Sequence, residues 1–330
     1  MQAKITAAEA SNFLGLSLQA IHKQLKVKSL QFEKAQNRIY FGHETSKKLF
    51  NFNFKKQIIA FQIVKGGTGK TSLAHAIAVR SNLYGARVLC VDLDQQGNLT
   101  QAFGLDAEEI PVMIDVLQDN MNISEAIVSV GPGIDIIPSR IENAVLDNTI
   151  ILKRYALDQV YKKRFEEFKN KYDLILIDCP PAIGQSVTAA ALTADTIIAP
   201  VTPEEFSLSG LKITSQELNN LNENFGIKTP LKIVLNKFDT RTSLSHEVLS
   251  TLIKHPIYGE KLYKSYIRAS QEFPNTIANG TSIFDVLKIT SAKEDIDLLT
   301  REILQIKKQL FDEQEEISLG KLEETPKAVA

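Results

Sequence analysis

Lys65-Gly66-Gly67-Thr68-Gly69-Lys70-Thr71 is the stretch on which the reading of this 330-residue chain turns. It follows the apolar run Gln57 to Val64 and precedes a helix-like segment, Ser72 to Tyr84. A strand, a glycine turn and a helix N-terminus in that order make a phosphate cradle. Glycines let backbone N–H groups approach the anion, and the helix N-terminus adds roughly half a positive charge. Lys70 is placed to reach terminal phosphates, and the Thr71 hydroxyl to hold Mg2+. The strict pattern G-x-x-x-x-G-K-[ST] nevertheless fails, because Val64 stands at its first glycine, and a second lysine, Lys65, lies inside the loop.

Outward from the loop, β-rich runs alternate with helical segments: Gln57–Val64, Arg87–Leu93, Ile134–Ile137, Leu174–Asp178, Thr196–Val201 and Leu231–Asn236. This alternation predicts an α/β fold with a doubly wound parallel sheet, in which ligands bind at the carboxyl ends of the strands. The polar motifs fall at those ends. Val91-Asp92-Leu93-Asp94-Gln95-Gln96-Gly97-Asn98 sets two carboxylates there, on opposite sides unless the strand has ended before Asp94. Leu174-Ile175-Leu176-Ile177-Asp178 is an apolar strand closed by one carboxylate, placed to reach Mg2+ through water. Asn236-Lys237-Phe238-Asp239 closes a later strand and is a candidate base pocket. Arg140 to Lys171 reads as one long amphipathic helical stretch, a docking or dimer-flanking element.

The composition is that of a globular protein, 44% hydrophobic and 23% charged with a formal net charge of −1. The length suggests about two domains. No apolar run reaches the roughly 18 residues of a membrane span. The start, MQAKITAAEA, lacks the apolar core of a signal peptide, so a cytoplasmic location is expected. Cys90 and Cys179 lie in strand-like runs and read as reduced core thiols. The near-zero charge hides an asymmetry: residues 1–56 hold ten Lys/Arg against three Glu, the remainder 28 against 36 acids. A basic module is thus joined to an acidic one, and the basic module suggests nucleic acid.

That module reads as a helix-turn-helix. Thr6 caps a helix from Ala7 to Leu14, Gly15-Leu16-Ser17 is the turn, and Ser17 caps a second helix from Leu18 to Lys26. Gln19, His22 and Lys23 would lie early on the recognition helix, where base edges are reached. Leu30–Lys34 and Arg38–Phe41 form a hairpin with Arg38 beside its tip, and His43–Phe50 an amphipathic turn or two. It resembles a MerR-like winged helix. The expected organisation is a DNA-binding unit over 1–56, a nucleotide-binding domain over 57–311 and a disordered acidic tail over 312–330.

With these motifs in order, the chain resembles a ParA partition ATPase of the ParA/MinD superfamily, a P-loop NTPase with a deviant Walker A element. The matching pieces are KGGTGKT, VDLDQQGN, LILIDCPPAIG, APVTPEEFSLSGL and VLNKFDTRTSLSHEVL, spanning residues 57 to about 285. The resemblance implies that Lys65 reaches the partner's phosphates across a nucleotide-sandwich homodimer. It further implies that Lys70 binds the β- and γ-phosphates, that Asp94 positions the attacking water, and that Thr71, Asp92 and Asp178 serve the Mg2+ shell. Lys65, Gly66, Gly67, Thr68, Gly69, Lys70, Thr71 and Ser72 would bind the ATP phosphates, with Asn236 and Asp239 near the base. Gln95 departs from the Pro usual after the second Asp, and Gln62-Ile63-Val64 from the usual approach to the loop.

The same resemblance implies a ParB-like partner that stimulates slow hydrolysis, binding to nucleoid DNA without sequence preference, and repression of an operator through the N-terminal unit. Arg241, Lys261, Lys264 and Arg268, in a stretch richer in Lys/Arg than in acids, are the candidate phosphate contacts. The acidic end argues against the membrane cycling of MinD-like relatives, and the placement of the two cysteines against a shared iron–sulfur cluster. Other readings are an ATP-gated transcriptional regulator and a positioner of a protein cargo.

Overall fold

The structure, a computed structural model, describes residues 3–35, 37–168 and 170–307, with the backbone alone at 205–207. The expected acidic tail, 312–330, lies outside those residues, as do positions 308–311. The chain opens with β1 (Ile5–Thr6), α1 (Ala7–Leu14), α2 (Leu18–Val27), β2 (Glu33–Ala35), β3 (Arg38–Phe41) and α3 (His43–Phe50). Thr6 and Glu9 form a reciprocal capping box on α1, with the Glu9 N–H on Thr6 Oγ1 at 3.1 Å and the Thr6 N–H on the Glu9 carboxylate at 2.8 Å. Ser17 caps α2 by accepting the Ala20 N–H at 3.1 Å. The short strands make a three-stranded antiparallel sheet in the order β1-β3-β2.

The large sheet holds β4 (Gln57–Phe61), β5 (Val88–Asp92), β6 (Val128–Gly131), β7 (Ile134–Ile137), β8 (Leu174–Asp178), β9 (Thr196–Val201) and β10 (Leu231–Leu235), in the order β10-β9-β4-β8-β5-β7-β6. Its helices are α4 (Lys70–Leu83), α5 (Asn98–Ala102), α6 (Met113–Gln118), α7 (Leu146–Leu152), α8 (Lys162–Phe165), α9 (Gln185–Thr193), α10 (Glu205–Phe225), α11 (Ser243–Lys254), α12 (Glu272–Ala278) and α13 (Ser291–Leu304). Successive strand residues enter opposite cores: Ile175 and Ile177 join one buried cluster, Leu174 and Leu176 the other. Strands covered on both faces are apolar without interruption, as these runs are.

Two expectations are corrected. The sheet is mixed, because β6 pairs antiparallel with β7 at the edge. Four residues of Val-Ser-Val-Gly carry no signal that sets such an edge strand apart from a loop. Arg140–Lys171 is not one helix either. A 3-10 turn over Ile141–Val145 leads into α7, which stops at Leu152, and α8 begins only at Lys162. Arg154 adopts a left-handed conformation (φ 52°), and the Tyr155 N–H bonds back to the Ile150 carbonyl at 3.1 Å. That is a Schellman closure built on arginine in place of glycine.

The basic N-terminal unit is packed into the larger body. Tyr84, at the C-terminal end of α4, is fully buried among Phe13, Leu49 and Phe50, with its ring 5.0 Å from that of Phe13. Its hydroxyl donates to Asp297 on α13 at 2.5 Å, and the buried Arg80 guanidinium lies 2.6 Å from the same carboxylate. Replacing Asp297 with Ala strands the Arg80 charge away from water. Urea unfolding of that variant is expected to show a loss of about 3 kcal/mol, the usual effect of breaking a buried pair.

His75 lies on α4 against Phe103 with no partner for its Nε2, and burial pushes its pKa down to about 4. Its ring stays neutral in the fold while the unfolded chain takes up a proton near pH 6.5. The stability this withholds therefore grows as pH falls from about 6.5 to about 4, on the order of 3 kcal/mol in all. Thermal melts of His75→Leu should lack this acid-side loss relative to wild type.

Candidate nucleotide site

The loop between β4 and α4 is held by groups distant in sequence. At Gly69, φ is +91° and a Cβ would lie 2.3 Å from Asn236 Nδ2, so glycine is required both for the backbone and for the contact. That amide nitrogen donates to the Thr68 carbonyl at 2.7 Å, and Lys237 Nζ donates to the Gly67 carbonyl at 2.8 Å. At the loop's other end, the Val64 N–H donates to the buried Thr214 hydroxyl on α10 at 3.1 Å. One turn earlier on α10, a Cβ at Gly210 would stand 3.1 Å from the Val64 carbonyl and 3.2 Å from Lys65 Cβ, closer than ordinary packing. Glycine there lets α10 approach the loop.

The loop opens onto a cleft of about 810 Å³, lined by Gly66, Gly67, Gly69, Lys70, Thr71, Ser72, Asp94 and Asn236 among others. Lys70 is buried, its Nζ donating to the Lys65 carbonyl at 3.2 Å. Burial lowers its pKa, against the raising pull of Asp178, Cys179 and Asp94. Lys65 is not among the lining residues; its Nζ meets Glu204 at the start of α10 at 3.1 Å.

β5 and β8 run in register with Asp92 opposite Asp178, both fully buried. Burial raises the pKa of each, and for Asp178 the charge of Asp92 adds to it. Their partners differ. Asp92 accepts the Thr100 N–H at 2.9 Å, the Thr100 hydroxyl at 2.8 Å and the Asp94 N–H at 3.1 Å. It therefore holds the loop and the start of α5. Asp178 Oδ2 accepts the Thr71 hydroxyl at 2.6 Å, while Asp178 Oδ1 is buried with no hydrogen-bond partner.

A spare carboxylate oxygen beside a hydroxyl and a phosphate cradle fits Mg2+, which takes few protein ligands and completes its shell with phosphate and water. Among the described residues no group of three or more His, Cys, Asp or Glu could hold a metal. Thr71 and Asp178 are the residues that would hold the ion. Asp94 stands beyond the end of β5, on the loop, and lines the cleft with its Oδ1 accepting the Gln96 N–H at 3.0 Å.

The structure thus brings together Lys70, Thr71, Ser72, Asp94, Asp178 and Asn236. It sets Asp239 apart from the cleft lining, its carboxylate gripping Arg241 at 2.8 Å, which depresses its pKa to about 2. Arg268 forks onto Asp295 at 2.7 Å and lines the cleft. Lys264 is exposed and Lys261 half-buried. On the N-terminal unit, Gln19 and Arg38 are exposed, with His22 and Lys23 half-buried. Lys237, Gly210, Thr214 and Glu204 received no role from sequence. A lone glycine inside the helical pattern around Gly210 was the available signal.

Comparison with known proteins adds to this geometry. A family model described as an AAA domain matches residues 56–233. The sporulation initiation inhibitor protein Soj of Bacillus subtilis is 30% identical over 236 residues, covering 69% of this chain and 90% of Soj. A ParA family protein of Chlamydia muridarum is 30% identical over 252 residues, covering 74% and 96%. The chain belongs to the ParA family. Among solved structures, cobyrinic acid a,c-diamide synthase from Mycobacterium smegmatis, with bound ATP analog and magnesium, superposes with a TM-score of 0.62 at 24% identity, covering 78% of this chain and all of that one. That likeness bears on the fold, a P-loop NTPase-like α/β sheet shared by this ParA-family chain. No helix among its described residues is long and apolar enough to cross a membrane.

The buried acid pair generates a prediction. Asp178→Asn removes a carboxyl whose ionisation the dry site beside Asp92 opposes, so the nucleotide-free protein should melt higher, by about 2–4 °C for each ~1 kcal/mol gained. Calorimetric titration of the same variant should show loss of Mg2+-dependent ATP binding.

Proposed function

We propose that this ParA-family chain is a partition ATPase that forms an ATP-sandwich homodimer on DNA and hydrolyses ATP slowly until a ParB-like partner stimulates it. The observation that carries the reading is the division of labour between two lysines on one loop. Lys70 is buried in its own cleft, whereas Lys65 is turned out of that cleft onto Glu204 at 3.1 Å. An ammonium so placed can serve phosphates presented by a second copy. The structural neighbour with bound ATP analog and magnesium supports ATP and Mg2+ as cofactors.

In this reading Lys70 and the loop N–H groups bind the β- and γ-phosphates, and α4 adds the positive end of its dipole. Thr71 and Asp178 hold Mg2+, which when bound neutralises phosphate charge. Asp94, the carboxylate at the loop end, orients water toward the γ-phosphate. Asp92 acts through the loop, since its oxygens are engaged by Thr100 and Asp94. Asn236 supports the loop backbone from its place beside the nucleotide.

Residues 1–56 are proposed as the winged helix-turn-helix that binds operator DNA. The reading is supported by two capped helices joined at Gly15-Leu16, the hairpin that follows, and the net positive charge. Gln19, His22, Lys23 and Arg38 are its candidate DNA contacts. Exposed Arg241 and Lys264, with Lys261, remain candidates for nucleoid DNA. Arg268 is better placed to shape the cleft wall, because Asp295 holds it there. The proposed location is the nucleoid.

Light scattering tests the dimer. Wild type with Mg2+ and ATP should run as a dimer, and Lys65→Ala as a monomer that still binds ATP. A monomer in both would overturn the sandwich.

A further inference from the structure

A second groove, of about 940 Å³, lies where the N-terminal unit meets the larger body. One wall is the start of α2, with Leu18 and His22; the second is the hairpin, with Arg38; the third is the segment 286–289 of the larger body. None of the lining residues is acidic. His22, Arg38 and Lys288 put a basic side chain on each wall, and no carboxylate pairs with any of the three among the described residues.

The third wall is held in place from both sides. Arg38 donates to the Leu287 carbonyl at 3.2 Å, Lys293 Nζ donates to the Val286 carbonyl, and the Lys4 N–H donates to the Phe284 carbonyl at 3.0 Å. Lys288 is exposed and follows directly on the residue that Arg38 grips. The segment is therefore already positioned beside the hairpin, and little further ordering is needed for Lys288 to join the basic residues of α2 and β3. A rim of basic side chains with no acid in its lining has the chemistry that tracks a phosphate backbone.

We propose that the larger body contributes to the duplex-DNA face of the N-terminal unit, with Lys288 a phosphate contact alongside Arg38 in the groove and Lys23 outside its lining on α2. This rests on the reading of residues 1–56 as DNA-binding.

The test is fluorescence anisotropy of the full chain, without nucleotide, on a short labelled duplex of arbitrary sequence across a range of KCl. One phosphate contact contributes about 0.9 to the slope of log affinity on log salt, equivalent to about eightfold at 0.1 M. Lys288→Ala should lower the slope by about one and weaken binding about eightfold, and Lys288→Arg should restore both. If Lys23→Ala and Arg38→Ala lower the slope while Lys288→Ala leaves it unchanged, the composite face is wrong and the reading of residues 1–56 stands. If none of the three changes the slope, that reading falls and this proposal with it. Lys288→Ala that spares DNA binding but abolishes capture of a protein partner would also overturn it.

Discussion

Two carboxylates, Asp92 and Asp178, stand side by side at the ends of adjacent parallel strands with no access to water. Like charges at such a place repel and lack solvation, so the surroundings must supply donors or cations. The neighbouring elements do so unequally. Thr100 and the Asp94 backbone saturate Asp92, which ties the loop after β5 to α5. Thr71 satisfies one oxygen of Asp178, Lys70 lies near, and the other oxygen is left bare. The unpaired oxygen of the pair thus belongs to Asp178, whose other oxygen accepts the Thr71 hydroxyl at the start of α4, and a cation there would restore the balance.

The cradle itself depends on distant supports. Asn236 and Lys237, from the end of β10, hold the Thr68 and Gly67 carbonyls, and Thr214 on α10 holds the Val64 N–H. The Thr68 and Gly67 carbonyls, which would repel an anion, are thus paired with donors that fix the loop's shape. This preorganisation lets the backbone N–H groups face an anion without rearranging.

α4 connects this site to the N-terminal unit. Its first residue is Lys70, and beyond its last turn Tyr84 completes the aromatic cluster of Phe13 and Phe50. Fourteen residues of nearly buried helix, about 21 Å long, lie between the phosphate site and that cluster. The helix is packed along most of its length, so one continuous element joins the two regions.

Much of this was legible in the chain. Doubly covered strands read as uninterrupted apolar runs, and Ile134–Ile137, Leu174–Asp178 and Thr196–Val201 match the observed strands end to end. Edge strand β6 and the break at Arg154 were not legible, because four residues carry little period and a left-handed arginine looks like any other. The motif alone determined that a cradle with two lysines would form and that acids would stand at the strand ends, since local propensity and spacing suffice for both. Only the tertiary structure decided which acid keeps a spare oxygen, that Asn236 braces the loop, and that Arg268 belongs to Asp295. The bonds of Asp178 to Thr71, Asn236 to Thr68 and Arg268 to Asp295 span 107, 168 and 27 residues, and a hydrogen bond is set by where the folded chain brings its two ends.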